Sequence, residues 1–250
     1  MRIHSDIKWI NDVLPEGFET NQSILISGPG GSGKPLVELG FVDTWLKAGG
    51  SVVGIPLQYP SLDMVEKSIH EIYKTSLKAY PGRVAFIRFD PFIGKDVTRE
   101  GDIWNANLIK EGVWDMTISD VVASLPSSEI GTLVFGSALN LLLFNERYRE
   151  HMKNAVKKTL TDLGLKMVIF TVSNNVFEND VKVWEDSADN LMMTDLDEEK
   201  VLRLQVIRMK SVPYLAKETV IPIDQKTLKK IESVAKRTRT KNVQAIRSIT

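Results

Sequence analysis

Gly28-Pro29-Gly30-Gly31-Ser32-Gly33-Lys34-Pro35 is the stretch that decides the fold. It fits G-x-x-x-x-G-K-[ST], the loop whose backbone N–H groups cradle phosphates, at every position but the last. The apolar run Ser23-Ile24-Leu25-Ile26-Ser27 before it reads as a buried strand, and Leu36 to Leu46 after it reads as a helix. Strand, glycine-rich loop and helix in that order are the context the motif requires; the bland alternative is an ordinary strand-to-helix turn. Gly28, Gly30, Gly31, Ser32, Gly33 and Lys34 are therefore the candidate phosphate-binding residues. The closing residue should be Ser or Thr, whose hydroxyl holds Mg²⁺, but it is Pro35. Proline has neither hydroxyl nor N–H and biases Lys34 away from helical backbone angles. It is well tolerated in the first turn of a helix, so Pro35 is expected to spare the fold and weaken the ligand site.

Composition sets the frame around this loop. A chain of 250 residues with 43% hydrophobic content can bury one large α/β core with a small appendage. No apolar run is long enough to span a bilayer and no N-terminal signal pattern is present, so a cytoplasmic protein without a membrane partner is expected. The absence of cysteine rules out disulfides and thiolate metal sites, and His4, His70 and His151 are isolated, so no metal site is expected. Net charge is zero but unevenly placed: from Ile223 to Thr250 eight Lys and Arg stand against Asp224 and Glu232. Such a tail can meet nucleic acid or an acidic partner. Without aromatic residues for base stacking, it reads rather as a solvated or partner-docking helix.

Strands and helices alternate along the chain. Ser51–Pro56, Arg83–Phe89, Thr132–Phe135 and Lys166–Val172 read as further strands; Ser61–Tyr80, capped by Ser61, about Trp104 to Ser124, and Arg147–Leu163 read as helices. Asp90–Asp102 reads as an irregular loop. Asn190–Met193, Lys200–Arg208 and Lys217–Pro222 are short strands in hairpin order. A mostly parallel sheet wrapped by helices, with an antiparallel extension at one edge, follows. The chain divides into a domain over 1–223 and a basic helical tail over 224–250.

The order of these pieces resembles the RecA-like P-loop ATPases, in particular their KaiC-like branch. The lead-in Ile7 to Phe18, the phosphate loop, and Arg208-Met209-Lys210 on a late strand carry the resemblance, over roughly residues 6 to 223. It implies a three-layer α/β/α fold. In the family the second strand ends in an acidic pair that includes the catalytic base; Gln58 and Tyr59 stand there. The central strand ends in an Asp that supports Mg²⁺, usually followed by Ser; Gly136 and Ser137 stand there. Thr171 and Ser173 fall where the family has a polar sensor. The resemblance thus implies degenerate Walker A and Walker B motifs, weak ATP binding, no Mg²⁺ and no catalytic residue.

Two readings follow. One is a non-hydrolysing regulatory or scaffold protein that binds nucleotide weakly or not at all. The other is a working ATPase with displaced metal and base residues, with Asp90, Asp120 and Glu129 as candidates, associated with DNA through the tail. Family members often place nucleotide sites between subunits, so Arg208 and Lys210 are candidate intersubunit residues and a homo-oligomer is a candidate assembly. The alternative is that both face solvent along an edge strand. Asp195 to Glu199 reads as an exposed acidic turn, and Trp104 and Trp114 as residues on two sides of one helix.

Overall fold

A computed structural model describes residues 1–59, 61–164 and 166–249, with the side chains of Lys166 and Ile231 left aside. Two short strands, β1 (Arg2–Ile3) and β2 (Phe18–Glu19), bracket helix α1 (Lys8–Val13) and form a small ribbon. The body continues with β3 (Ser23–Ser27), α2 (Lys34–Lys47), β4 (Ser51–Pro56), α3 (Leu62–Tyr73), β5 (Val84–Phe89), β6 (Thr98–Glu100), β7 (Ile103–Ala106) and α4 (Val113–Ser124). It closes with β8 (Thr132–Ser137), α5 (Arg149–Thr161), β9 (Lys166–Thr171), α6 (Glu178–Ser187), β10 (Asn190–Leu196), β11 (Leu202–Arg208), β12 (Thr219–Val220) and α7 (Gln225–Arg247).

The main sheet runs β12-β11-β10-β3-β9-β8-β4-β5-β7-β6. All neighbours from β10 to β7 pair in parallel. The fold class expected from the sequence is therefore present, including the antiparallel extension β11–β12. The opposite edge carries a second antiparallel strand, β6, that the sequence reading placed in a loop. Parallel strands have both faces covered, so their residues alternate between two cores. Ile24, Ile26, Leu133, Phe135 and Ile169 face a core shared with α1, α2 and α3. Leu25, Val134, Val168 and Phe170 face a second core shared with α4, α5 and α6. The three layers follow from that alternation.

Some boundaries differ. Helix α3 stops at Tyr73, where Lys74 takes a left-handed conformation, and after an irregular stretch Leu77–Ala79 forms a separate 3₁₀ turn. Ser61 occupies the N-cap position in extended backbone but its side chain makes no capping bond. Trp104 is not on the helix with Trp114. It lies on β7 with the Arg99 guanidinium 4.9 Å above its ring, whereas Trp114 is buried on α4 and donates to Thr159 Oγ1 at 2.8 Å. No helix among the described residues is long and apolar enough to cross a membrane.

Among the described residues, helix α7 is the one helix that reaches both cores. Leu228, near its start, is buried in the first, and Ile246, near its end, is fully buried in the second. At 23 residues it is about 35 Å long, enough to cross the sheet from one face to the other. Asp224 caps it, accepting from Thr227 N at 2.9 Å. Asn145 Nδ2 donates to Ile246 O at 2.8 Å and Ile249 O at 2.7 Å, fastening the far end. The 3₁₀ helix Leu139–Phe144 that follows β8 lies beneath it.

Candidate phosphate-binding site

The loop after β3 is held by its neighbours on both sides. Gly28 lies against β10 so closely that a Cβ there would sit 2.1 Å from Thr194 O, a position only glycine can take. Ser32 Oγ and Thr194 Oγ1 are 2.8 Å apart, and Asn175 Oδ1 accepts from Gly30 N at 3.3 Å. Gly33, at φ 67°, turns the chain into α2, and its carbonyl accepts from Leu36 N at 2.9 Å. Pro35 sits in the first helical turn, where its missing N–H leaves no intrahelical gap, as its sequence position predicts. Among the described residues the amides of Gly31 and Gly33 have no acceptor. Unsatisfied N–H groups at a helix N-terminus form an anion-binding edge.

Lys34 is buried and turned into this loop. Its Nζ donates to Pro29 O at 2.6 Å, Gly28 O at 2.9 Å and Ser32 Oγ at 3.2 Å. Burial pulls its ammonium down to about 7; the nearby Arg239 guanidinium acts in the same direction and Asp195 against it. A lysine so placed has no carboxylate at hydrogen-bond distance; its partners are neutral oxygens.

Loop and strand ends enclose a cavity of about 280 Å³. Gly30 to Leu36 form one wall, and Gln58, Ala138, Thr171 and Ser173, at or beyond the ends of β4, β8 and β9, form the floor. Helix α7 forms the roof with Leu228, Glu232, Ala235, Lys236 and Arg239. This lies outside the carboxyl ends of parallel strands, where open α/β sheets bind their ligands. The sequence reading left α7 as a solvated or partner-docking element; the structure seats it on the loop of its own chain.

The remaining candidate positions divide. Gln58 lines the cavity. Tyr59 turns into the first core, and its hydroxyl is pushed up by burial and by the adjacent Glu38. Gly136 closes β8; a Cβ there would meet Leu139 and Phe170 side chains at 3.1 Å. Ser137 is buried and its hydroxyl is without a partner among the described residues. Thr171 Oγ1 accepts from Ala138 N at 3.1 Å, and Asn140 Oδ1 accepts from Ser173 N at 3.0 Å. Asp90 accepts from Phe92 N in its own turn, and Asp120 and Glu129 are exposed; none of the three lines the cavity.

Arg208 and Lys210 lie at the other end of the sheet. Arg208 pairs with Leu191, near the start of β10, whereas the loop follows the end of β3. Its guanidinium donates to Glu185 O at 2.6 Å and Ala188 O at 2.8 Å, closing the C-terminal end of α6, and Lys210 pairs with Asp189 at 2.7 Å. Within this chain both are occupied far from the phosphate loop.

Two residues escaped the sequence reading. Glu38, one helical turn after Lys34, is fully buried, and burial raises its carboxyl well above the usual range against a hydrogen bond from the Gly136 backbone. The signal was available: it is the one acid in the apolar stretch Pro35 to Val42. Arg239 is the other. Its helical spacing from Leu228 and Ile246 marks one face, but nothing local says which surface that face covers.

A scan of protein-family models finds no match, and a search of curated proteins finds none. Solved structures do match. A KaiC-like protein from Pyrococcus horikoshii OT3 is similar over 90% of this chain and 95% of its own, at 16% identity and a TM-score of 0.66. The flagellar accessory protein FlaH from Methanocaldococcus jannaschii is similar over 89% of this chain and 94% of its own, at 17% identity and a TM-score of 0.65. At such identities the likeness shows the fold: a RecA-like, KaiC-like P-loop architecture.

Proposed function

We propose that this chain is a KaiC-like P-loop protein that holds the phosphates of a nucleotide, ATP in the first instance, and does not hydrolyse it, serving as a regulatory or scaffold protein. The observation that carries this reading is the lining of the loop cavity. Loop amides, Lys34, Lys236 and Arg239 surround it, and its one acid, Glu232, comes from the roof rather than from a strand end. That set favours an anion.

The same residues do not fit Mg²⁺. Pro35 offers no hydroxyl, and a carboxylate at 136 would have to displace Leu139 and Phe170. Among the described residues no group of three His, Cys, Asp or Glu is gathered as for a metal. Phosphoryl transfer relies on positioning and on charge neutralisation by the metal. A general base must reach the attacking water, and neither Gln58 nor the buried Tyr59 offers a carboxylate for that. The working-ATPase alternative has one residue in its favour, Glu38, whose carboxyl lies at the end of β8. It is 1% exposed and is not among the residues that line the cavity.

The test is a turnover assay with ATP and Mg²⁺ on the wild type and on Pro35→Thr, with binding followed by calorimetry. Both proteins are expected to hydrolyse at background. Pro35→Thr returns a hydroxyl and an N–H, worth ~1–3 kcal/mol in binding a charged ligand. A Mg²⁺-dependent rate abolished by Lys34→Ala would overturn the reading.

A further inference from the structure

We propose that helix α7 is a cap built into the chain, and that its Arg239 supplies, within the same subunit, the second cation of the phosphate site. The inference rests on the anion-binding reading above and adds to it the residue, and the subunit, that complete the site.

The helix presents one continuous face to the body. Leu228, Glu232, Ala235, Arg239, Asn242 and Ile246 are spaced by alternating fours and threes, which aligns them on one side. The two ends are fastened by apolar burial, and Asn242 Nδ2 donates to Leu57 O at 2.5 Å, just past the end of β4. The middle of the face lies over the glycines. A Cβ at Gly33 would be 3.3 Å from Leu228, one at Gly31 3.4 Å from Glu232, and one at Gly30 3.3 Å from Arg239 Nη1. Three of the loop's glycines thus lie within van der Waals reach of the helix.

Charge gives the contact a direction. The Arg239 guanidinium has no hydrogen bond or ion pair with any described residue, and neither does the Lys236 ammonium. Arg239 stands near enough to Lys34 to disfavour its charge. Two cations held across a cavity edged by donor amides repel one another until an anion lies between them. Coulomb's law makes that arrangement costly for a folded chain and favourable for a bound phosphate. Arginine suits the role because its planar fork meets two oxygens of a phosphate at once. The cavity, about 280 Å³, sits just below the usual range for small-molecule pockets. With α7 seated it accommodates a phosphate group or short phosphate chain; a base and ribose must extend past the helix or lift it. The shared ligand chemistry is thus a phosphate chain, free or carried by a nucleoside.

The experiment uses the full chain with inorganic triphosphate and ATP as probes, followed by calorimetry. Lys34→Ala should abolish binding of both. Arg239→Gln should weaken both about 10-fold or more, the scale of one charged hydrogen-bond partner, and Arg239→Lys should restore part of the loss. Arg239→Gln should also move the alkaline fall in affinity to higher pH, because Lys34 loses a like charge beside it; a residue that only stiffens the helix leaves that profile in place. A mixture of Lys34→Ala with Arg239→Gln separates the subunits: neither chain carries an intact set in cis, so binding stays weak. Recovery of tight binding in the mixture would place Arg239 across an interface and overturn the cap. Wild-type affinity in Arg239→Gln alongside loss in Lys34→Ala would overturn the cap and leave the anion reading standing. No binding by the wild type, or undiminished binding by Lys34→Ala, would overturn both.

Discussion

Raising the pH should drive a simple anion out of this site through a single group. In the free protein Lys34 titrates near 7, lowered first by burial and then by Arg239, with Asp195 opposing. An anion on the loop supplies the counter-charge Lys34 lacks, so its bound-state value rises and binding takes up a proton. The sign follows: affinity is flat below pH 6, where Lys34 is already charged, and falls as pH climbs through 7. Each unit above 7 costs about a factor of ten, or ~1.4 kcal/mol, and from pH 6 to pH 9 the loss is roughly 100-fold. Sulfate is the right probe, since it carries no titrating proton of its own in this range. No histidine lines the cavity. Calorimetry in buffers of different ionisation enthalpy should show about 0.1 proton taken up at pH 6 and nearly one at pH 8.5. Lys34→Arg, charged at all these values, should bind with a flat profile. A flat profile in the wild type, or an unchanged slope in Lys34→Arg, would refute the assignment.

Two further outcomes can be stated. Glu38 keeps its proton in the folded chain above the pH where the unfolded chain loses it, so wild-type stability falls as pH rises through that window; Glu38→Gln, neutral throughout, should gain on the wild type as pH rises above the ordinary carboxylate range, and urea midpoints showing a constant difference would contradict this. Ile246→Ala removes a fully buried anchor of α7 and should cost up to ~2–5 kcal/mol of helix docking, read as faster amide exchange across 225–247 with the sheet amides unchanged; protection lost uniformly would show that α7 is no separable unit.

Much of the fold was legible because parallel strands write themselves as unbroken apolar runs. Ser23–Ser27, Ser51–Pro56 and Lys166–Thr171 all lie where the sequence places them. β6 was hidden because Thr98, Arg99 and Glu100 are all exposed and carry no alternation, and β7 because its four residues ran into the helical pattern that follows. The phosphate loop was legible residue by residue, since its chemistry is local. The roof was not. The charges of the tail read as a solvated face, and the residues that matter, Leu228, Arg239 and Ile246, gain their meaning from surfaces some 200 residues earlier and 100 residues earlier in the chain. Arg208 and Lys210 show the converse: two basic residues on the expected strand, placed at the far end of the sheet by the register of β10 with β11.

The order in which the parts leave the ribosome gives the site a history. β3 emerges early, yet its two neighbours in the sheet are β9 and β10, which begin at Lys166 and Asn190. At synthesis rates of roughly 5–20 residues per second the nascent loop waits on the order of ten to thirty seconds for Thr194, the residue that fixes Gly28 and Ser32. The helix that covers it is made later than β10. For an interval the nascent chain carries the loop and its sheet neighbours without the helix that roofs them.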